Sequence, residues 1–287
     1  MDAANEDTVG PLAVIPTPSK AFSSLDADLI LTSSDDVEFR VFGRILSEAS
    51  IVFKDMMQLG NATPSGGLNN VALSENAEIL DLVLRFIYPI PDPQVTSFDT
   101  LKLLMDTADK YFLKGMMHSL KNILIQPAFA EPQPLRAYAL ACIHGLQDEA
   151  KIISRHCLKT DILQQGDIYE ELAIITGKDL LRLIKLHQTR ATQIISILNT
   201  TSPSPCTGSG ATSGTPLWWT EFRARAKEEV RSRPLGDTIF QPKFLAACVS
   251  AAIASGCPQC PTNYLSNASQ ARVEQLRSMI EALPDTV

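Results

Sequence analysis

The feature that most constrains this chain of 287 residues is the placement of its strand-like segments, which lie together ahead of a long run of helical patterns. Residues 28–32 predict a mostly buried strand, residues 33–36 a turn, and residues 37–41 a strand that alternates apolar and charged side chains. Together they predict a β-hairpin, and residues 71–73 are long enough only for one short strand more. We therefore expect a small α+β unit followed by an all-α region.

Capping and breaking residues set the helices that we predict in the α+β unit. Ser50 can cap a helix whose apolar side chains form one stripe, and Ser74 and Ser97 can cap the next two. Pro89 and Pro127 end two of the helical patterns, because proline lacks an amide hydrogen and clashes with the preceding turn.

Charge excludes one broad class of function. The chain has 25 Lys and Arg against 32 Asp and Glu, and 17 of the acids against 9 of the bases lie in residues 1–126. A nucleic-acid binder needs a basic face, and only residues 223–233 approach one, diluted by Glu221, Glu228 and Glu229. The longest apolar run, residues 244–254, is well short of the roughly 20 residues that cross a bilayer. We expect a soluble intracellular protein, in the nucleus or cytoplasm, without nucleic-acid or membrane binding.

Composition divides the chain into segments. Residues 1–24 hold three prolines and no periodic pattern, which predicts a disordered tail, whereas residues 200–216 are a polar linker rich in Ser, Thr, Gly and Pro. Between them we expect the α+β unit at residues 25–126 and a helical extension at residues 127–199. The last segment, residues 217–287, predicts a three-helix end piece with helices at 217–231, 240–255 and 264–283.

Several motifs in residues 26–125 resemble the BTB/POZ domain family. They are, in chain order, Asp28-Leu-Ile-Leu31, Phe39-x-Val41, the run from Ile45 through Ser50 and Phe53 to Met56, Val71-x-Leu73, Phe86-Ile-Tyr88, and Leu103-Leu104 with Ala108 and Tyr111. The helical half that follows, with Trp218-Trp219 and Cys257-x-x-Cys260, is similar to BTB proteins that are numerous in mushroom-forming fungi. The resemblance implies a BTB/POZ fold and a role in protein–protein interaction rather than catalysis.

One position departs from the family pattern. Many BTB domains carry His followed by Lys or Arg just before the Leu-Ser segment, and that base faces the early aspartate in a charged pocket at the dimer groove. Here the two positions are Phe42 and Gly43, while Arg44 follows one residue later, a shift of about 100° around a helix. The departure argues against a corepressor-type groove. The simpler role for Asp28 is a strand-end carboxylate that caps backbone amides.

Apolar helix residues predict self-association. Ile45, Leu46, Val52 and Phe53 offer more apolar helix surface than one small core can use, and with Asp28 they form the predicted interaction surface. We therefore expect a homodimer.

Two functions of the interaction class stay open. One is an oligomerising scaffold in transcriptional regulation, and the other is a substrate-recruiting adaptor of a cullin-type ubiquitin ligase, because in the family the helices after the BTB core can contribute to cullin binding. The partners expected beyond a second copy are thus transcription factors or a cullin. The sequence has no kelch-like repeat or zinc-finger array that would decide between them.

Four cysteines raise the hypothesis of a structural zinc site. Cys257-x-x-Cys260 follows the stop of a predicted helix at Gly256 and can present two thiolates to one ion. Cys206 and Cys248 are the candidates for the remaining two ligands. The alternative is that these thiols are packed or merely exposed.

No catalytic constellation emerges from the sequence. Cys142 and Cys157 lie beside His144 and His156 in neighbouring predicted helices, which keeps a thiol-dependent enzyme as an outsider hypothesis. Because residues two apart on a helix point to nearly opposite sides, Cys142 and His144 do not share a face. We expect no enzymatic activity.

Overall fold

A computed structural model of the chain describes residues 20–60, 69–162, 170–201, 203 and 214–287. Its contacts divide the chain into two compact units, Met1–Ile123 and Leu124–Val287. In the residues described, the first unit combines a three-stranded sheet with helices and the second is helical. The expected α+β unit followed by an all-α region is therefore confirmed.

The sheet has the strand order β2-β1-β3. Strands β1 (Leu29–Thr32) and β2 (Glu38–Val41) form the predicted antiparallel hairpin, and the predicted short strand appears as β3 (Asn69–Ala72), parallel to β1. Ser33 closes the hairpin turn, since its hydroxyl donates to the Asp35 carboxylate at 2.6 Å and accepts from the Val37 amide at 3.0 Å.

In the described part of the first unit, five α-helices accompany the sheet: α1 (Gly43–Ala49), α2 (Ile51–Gly60), α3 (Ala77–Ile87), α4 (Phe98–Lys110) and α5 (Lys114–Leu124). Ser50 and Ser97 cap α2 and α4 as predicted, accepting from the amides of Phe53 and Thr100 at 3.1 and 3.0 Å. The prediction that Ser74 caps α3 is wrong. Asn76 takes that place, accepting from the Ile79 amide at 2.9 Å, because the chain turns for two residues more before the helix begins.

The predicted disordered tail, residues 1–24, extends too far toward the first strand. Residues 1–19 lie outside the described residues, but Lys20–Phe22 forms a 3₁₀ turn. The Phe22 ring is fully buried and packs edge to face on Tyr88, with ring centroids 5.2 Å apart. An aromatic ring in the core orders its own backbone, so the folded unit begins before residue 25.

The second unit consists of helices throughout the residues described. They are α6 (Pro127–Ala130), α7 (Pro134–Ile143), α8 (Gln147–Cys157), α9 (Glu170–Ile174), α10 (Gly177–Thr200), α11 (Leu217–Ser232), α12 (Pro242–Ala254), α13 (Cys260–Leu265) and α14 (Asn267–Glu281). The third helix expected in the end piece is two helices, α13 and α14. They separate at Ser266, whose hydroxyl accepts from the Ser269 amide at 3.3 Å and so starts α14.

The expected division between helical extension and end piece is not observed in the packing. Ile194 and Leu198 of α10 belong to the same buried cluster as Trp218, Trp219 and Phe222 of α11. The Trp219 indole also donates to the Thr201 carbonyl at 3.2 Å. Segments on both sides of the polar linker therefore share one core, and residues 124–287 form a single unit.

Among the helices that the structure describes, none combines the length and the apolar composition that crossing a membrane requires.

Candidate interaction surface

Asp28 precedes β1 and meets the first turn of α1. Its Oδ1 accepts a hydrogen bond from the Gly43 backbone amide at 2.6 Å. The first amides of a helix have no partner within the helix, so this carboxylate satisfies one of them. The expected role of Asp28 in capping a backbone amide is confirmed.

Gly43 and Arg44 do not build a charged pocket around Asp28. A Cβ at Gly43 comes within 2.6 Å of the Met57 sulfur, so any larger residue there has to displace the Met57 side chain. Arg44 is mostly exposed and pairs along its own helix with Glu48, the Nε and Oε1 atoms being 3.3 Å apart. These residues border an open groove of about 670 Å³, without the base-to-aspartate contact of a corepressor-type pocket.

The predicted apolar surface is only partly a surface. Leu46 is fully buried and Phe53 is 2% exposed, so both belong to the core of the first unit and not to a contact face. The Phe53 ring stacks on Tyr111, with centroids 4.9 Å apart. Ile45 and Val52 are half-buried and Asp28 is exposed. An apolar stripe shows that a helix face is buried against something, but it does not say whether the partner is the same chain.

Two strongly exposed apolar side chains in the described helical part of this unit were not predicted from the sequence. Ile51, the first residue of α2, is 62% exposed, and Phe112, in the turn between α4 and α5, is 60% exposed. Phe112 has a φ of 53°, in the left-handed region that glycine favours. The Phe112 and Leu113 amides donate to the carbonyls of Asp109 and Ala108, the pattern of a Schellman helix end. Phe112 thus occupies a backbone position that usually holds glycine, and its ring is exposed. This combination marks Phe112 as a candidate contact residue.

Hydrogen bonds to Glu75 hold the two residues before Phe112 in place. Glu75 accepts hydrogen bonds from the Lys110 ammonium at 2.6 Å and from the Tyr111 hydroxyl at 2.7 Å. Burial alone raises the pKa of Glu75, but the bonds from Lys110 and Tyr111 outweigh it, so the pKa lies below the ordinary value. Burial and the Glu75 carboxylate raise the pKa of Tyr111 to about 12. The two residues before Phe112 are therefore both anchored to Glu75.

Two depressions flank the Phe112 ring. One, of about 530 Å³, lies along α4 and α5 and is lined by Leu113 and Met117 together with Lys114 and His118. The other, of about 740 Å³, is lined mainly by apolar side chains, among them Ala49, Ile51, Phe86, Ile87, Leu113 and Met116. Shallow apolar depressions around an exposed aromatic side chain are typical of protein contact surfaces.

The cysteines proposed as zinc ligands are buried in the second unit. Cys248, Cys257 and Cys260 are fully buried in the core around Trp218 and Trp219. Among the described residues, no three His, Cys, Asp or Glu side chains are grouped closely enough to hold a metal ion. Cys206 lies outside the described residues. Zinc binding stays a prediction, which elemental analysis of the purified protein tests.

The stop at Gly256 has a structural explanation that needs no metal. Gly256 has a φ of 96°, and the Cys257 amide donates to the Ala252 carbonyl at 3.1 Å. This is again a Schellman helix end, in which the residue after the glycine commonly packs back on the helix. The burial of Cys257 follows from that geometry.

The thiols considered for catalysis are weakly acidic. Burial raises the pKa of Cys142 to about 11, and it raises the pKa of Cys157, which is fully buried, further still. Thiolate is the nucleophilic form of cysteine, so both thiols are held in the unreactive form near neutral pH.

The fold of the first unit agrees with a comparison to known families. Residues 21–128 match the family model of the BTB/POZ domain, which extends the expected domain by a few residues at each end. No curated protein matches the chain. A small sheet with helices is the fold expected of this family, whose domains are protein-interaction modules. Residues 21–128 of this chain are therefore a BTB/POZ domain, a protein-interaction module.

Proposed function

We propose that the protein is a non-enzymatic scaffold that self-associates through its BTB/POZ domain and holds partner proteins in transcriptional regulation. The observation that carries the proposal is the exposure of Ile51 at 62%, on the helix pair that also holds the half-buried Ile45 and Val52. Apolar side chains exposed together on a rigid element favour burial against a second copy. The raised pKa values of Cys142 and Cys157 support the non-enzymatic part.

The second candidate function is a substrate-recruiting adaptor of a cullin-type ubiquitin ligase. It is favoured by Phe112, which is 60% exposed and offers an aromatic anchor between two depressions, one of which Ile51 also lines. Large aromatic side chains at the centre of an interface contribute most to affinity. The helical region after the BTB/POZ domain adds surface for the same partner. For either function we propose a location in the nucleus or cytoplasm. We also propose that residues 127–287 are similar to the helical regions of fungal BTB proteins.

Light scattering of the full chain tests self-association. The wild-type protein at tens of micromolar is expected to have twice the monomer mass, and Ile51→Asp is expected to be a monomer, because a carboxylate in an apolar interface loses its hydration. Leu265→Asp is the matched control, since Leu265 is 69% exposed in the other unit. A wild-type monomer at this concentration contradicts the proposal.

Affinity purification followed by mass spectrometry separates the two functions. Recovery of a cullin with the wild-type chain, and its loss with Phe112→Asp, supports the adaptor. Recovery of chromatin factors that survives Phe112→Asp supports the scaffold. Phe112→Gly is the folding control, because glycine adopts the left-handed backbone of residue 112 without strain.

A further inference from the structure

The segment of residues 283–287, here called the strap, follows α14 without regular secondary structure and is held along its length by the second unit. Its first two carbonyls, of Leu283 and Pro284, accept hydrogen bonds from Nη1 of Arg190 at 2.7 and 2.9 Å. The Asp285 carboxylate lies 3.2 Å from Nε of Arg155. The Val287 amide donates to the Ser154 hydroxyl at 3.1 Å. Main chain and one acidic side chain are thus both recognised.

Arg190 binds the strap through its backbone. The Arg190 side chain is buried, and each of its remaining N–H groups donates to another main-chain carbonyl, of Pro234, Leu235 or Ile280. When the strap leaves, two guanidinium hydrogen bonds lose their acceptors while the others keep theirs. A buried charged donor without an acceptor is unfavourable, so the site demands carbonyls from another chain segment.

The cavity beside the strap is suited to an acidic residue. It measures about 480 Å³ and is lined by the bases Arg155, Lys159, Arg190 and Arg277, by His156, and by the acids Asp237, Glu281 and Asp285. Asp285 is the acid that the strap contributes. Lys159 and Arg277 also pair with Glu131 and Glu274 outside the lining, whereas Arg155 pairs with Asp285. Without Asp285, the position next to Arg155 is therefore left for another carboxylate.

We propose that this surface is a binding site for an extended acidic peptide segment, which the strap occupies within the chain and which a partner's segment takes by displacing the strap. Arg190 and Ser154 recognise the main chain, so many sequences fit, and Arg155 selects an aspartate or glutamate. Because the strap is tethered, it competes with a partner's segment at an effective concentration of about millimolar. A partner therefore binds well only when the contacts of the strap are weakened or when the partner's segment has a higher affinity for the site. The proposal is independent of the function of the BTB/POZ domain.

Fluorescence anisotropy with a labelled peptide of residues 281–287 tests the proposal on the full chain. The peptide is expected to bind the Asp285→Lys chain at least tenfold more tightly than the wild-type chain, because lysine beside Arg155 loosens the tethered strap. The same peptide with Lys in place of Asp is expected to bind the Asp285→Lys chain at least tenfold more weakly. Asp92→Lys is the control, as it makes the same charge change at an exposed position of the first unit, outside the cavity.

Hydrogen–deuterium exchange supplies a readout that does not depend on the variant. The Val287 amide is expected to exchange slowly in the wild-type chain and faster when unlabelled peptide is added in excess. Rapid exchange of Val287 in the wild-type chain overturns the proposal. So does equal peptide affinity of the wild-type and Asp285→Lys chains, with circular dichroism showing both folded.

Discussion

Glu75, which is half-buried, and Arg190, which is buried, are charged side chains that stabilise different units through different kinds of hydrogen-bond partner. Glu75 accepts from Lys110 and Tyr111, so its negative charge has a cationic partner and a neutral donor. Arg190 has no carboxylate among its hydrogen-bond acceptors and is satisfied by five backbone carbonyls. Both charges have hydrogen bonds that compensate for their removal from water. We therefore expect even a conservative substitution at either position to lower the free energy of unfolding.

Glu75→Gln tests the first of these residues through its pH dependence. The pKa of Glu75 lies below its ordinary value of 4.5, so its contribution is present above that pH and is lost as the pH falls through the folded-state pKa. We expect Glu75→Gln to destabilise the BTB/POZ domain by about 1 to 3 kcal/mol at pH 7 and by much less at pH 3. Urea denaturation followed by tyrosine near-UV circular dichroism measures both values. An equal loss of unfolding free energy at pH 7 and pH 3 would show that the ionised carboxylate of Glu75 is not what stabilises the domain.

Arg190→Lys tests the contribution of the Arg190 hydrogen bonds to the stability of the second unit. Lysine has three donors in place of five and no planar fork, so at least two of the five carbonyls lose their partner. The second unit is expected to lose about 2 to 4 kcal/mol of unfolding free energy. Fluorescence of Trp218 and Trp219, which lie in its core, reports the urea midpoint. Arg231→Lys, at an exposed ion pair, is the control and should change the stability by less than about 0.5 kcal/mol.

At the scale of elements, helix ends are decided by one or two side chains. Asn76 begins α3 and Ser266 begins α14, and both accept from the amide three residues on. Ser74, two residues before Asn76, is equally suited to capping by residue type, but its hydroxyl accepts from Lys110. Which of two suitable residues caps a helix depends on where the preceding turn ends.

The two candidate caps of α3 are distinguished by their alanine variants. Asn76→Ala removes the acceptor of the Ile79 amide and is expected to destabilise the BTB/POZ domain by about 1 kcal/mol. Ser74→Ala removes an exposed contact and should have less than half that effect. Thermal unfolding by circular dichroism measures the difference. A larger loss for Ser74→Ala would place the start of the helix two residues earlier.

At the scale of the whole molecule, the shared core of the second unit changes what a truncation does. Ile194 and Leu198 of α10 are fully buried in a cluster completed by α11, α12 and α14. A chain that ends at Thr200 exposes both side chains, whereas residues 21–123 of the BTB/POZ domain belong to the other unit.

Removing residues 201–287 is therefore expected to unfold α10 and to leave α4 intact. A single helix without its apolar cover is marginal in water, since most helical stability comes from packing. Hydrogen–deuterium exchange should show the amides of 188–200 exchanging at least a hundredfold faster and the amides of α4 unchanged. Protection of α10 in the truncated chain would show that the helical extension is a domain of its own.

Sequence alone determined the features that depend on neighbouring residues. The hairpin of residues 28–41, the caps at Ser50 and Ser97 and the helix stop at Gly256 were all predictable, because alternation, capping and glycine conformation act over a few residues. The resemblance to BTB/POZ domains rested on such local motifs in order. Their agreement with the family model confirms the domain but not its partners.

Only the tertiary structure decided which apolar faces are covered and which distant groups meet. Leu46 and Phe53 are buried while Ile51 and Phe112 are exposed, although all four are apolar residues in or beside helices. The five carbonyls around Arg190 come from segments 44 to 94 residues away. Burial and hydrogen bonding at such distances depend on how the whole chain packs, and a periodic pattern carries no information about the partner that completes it.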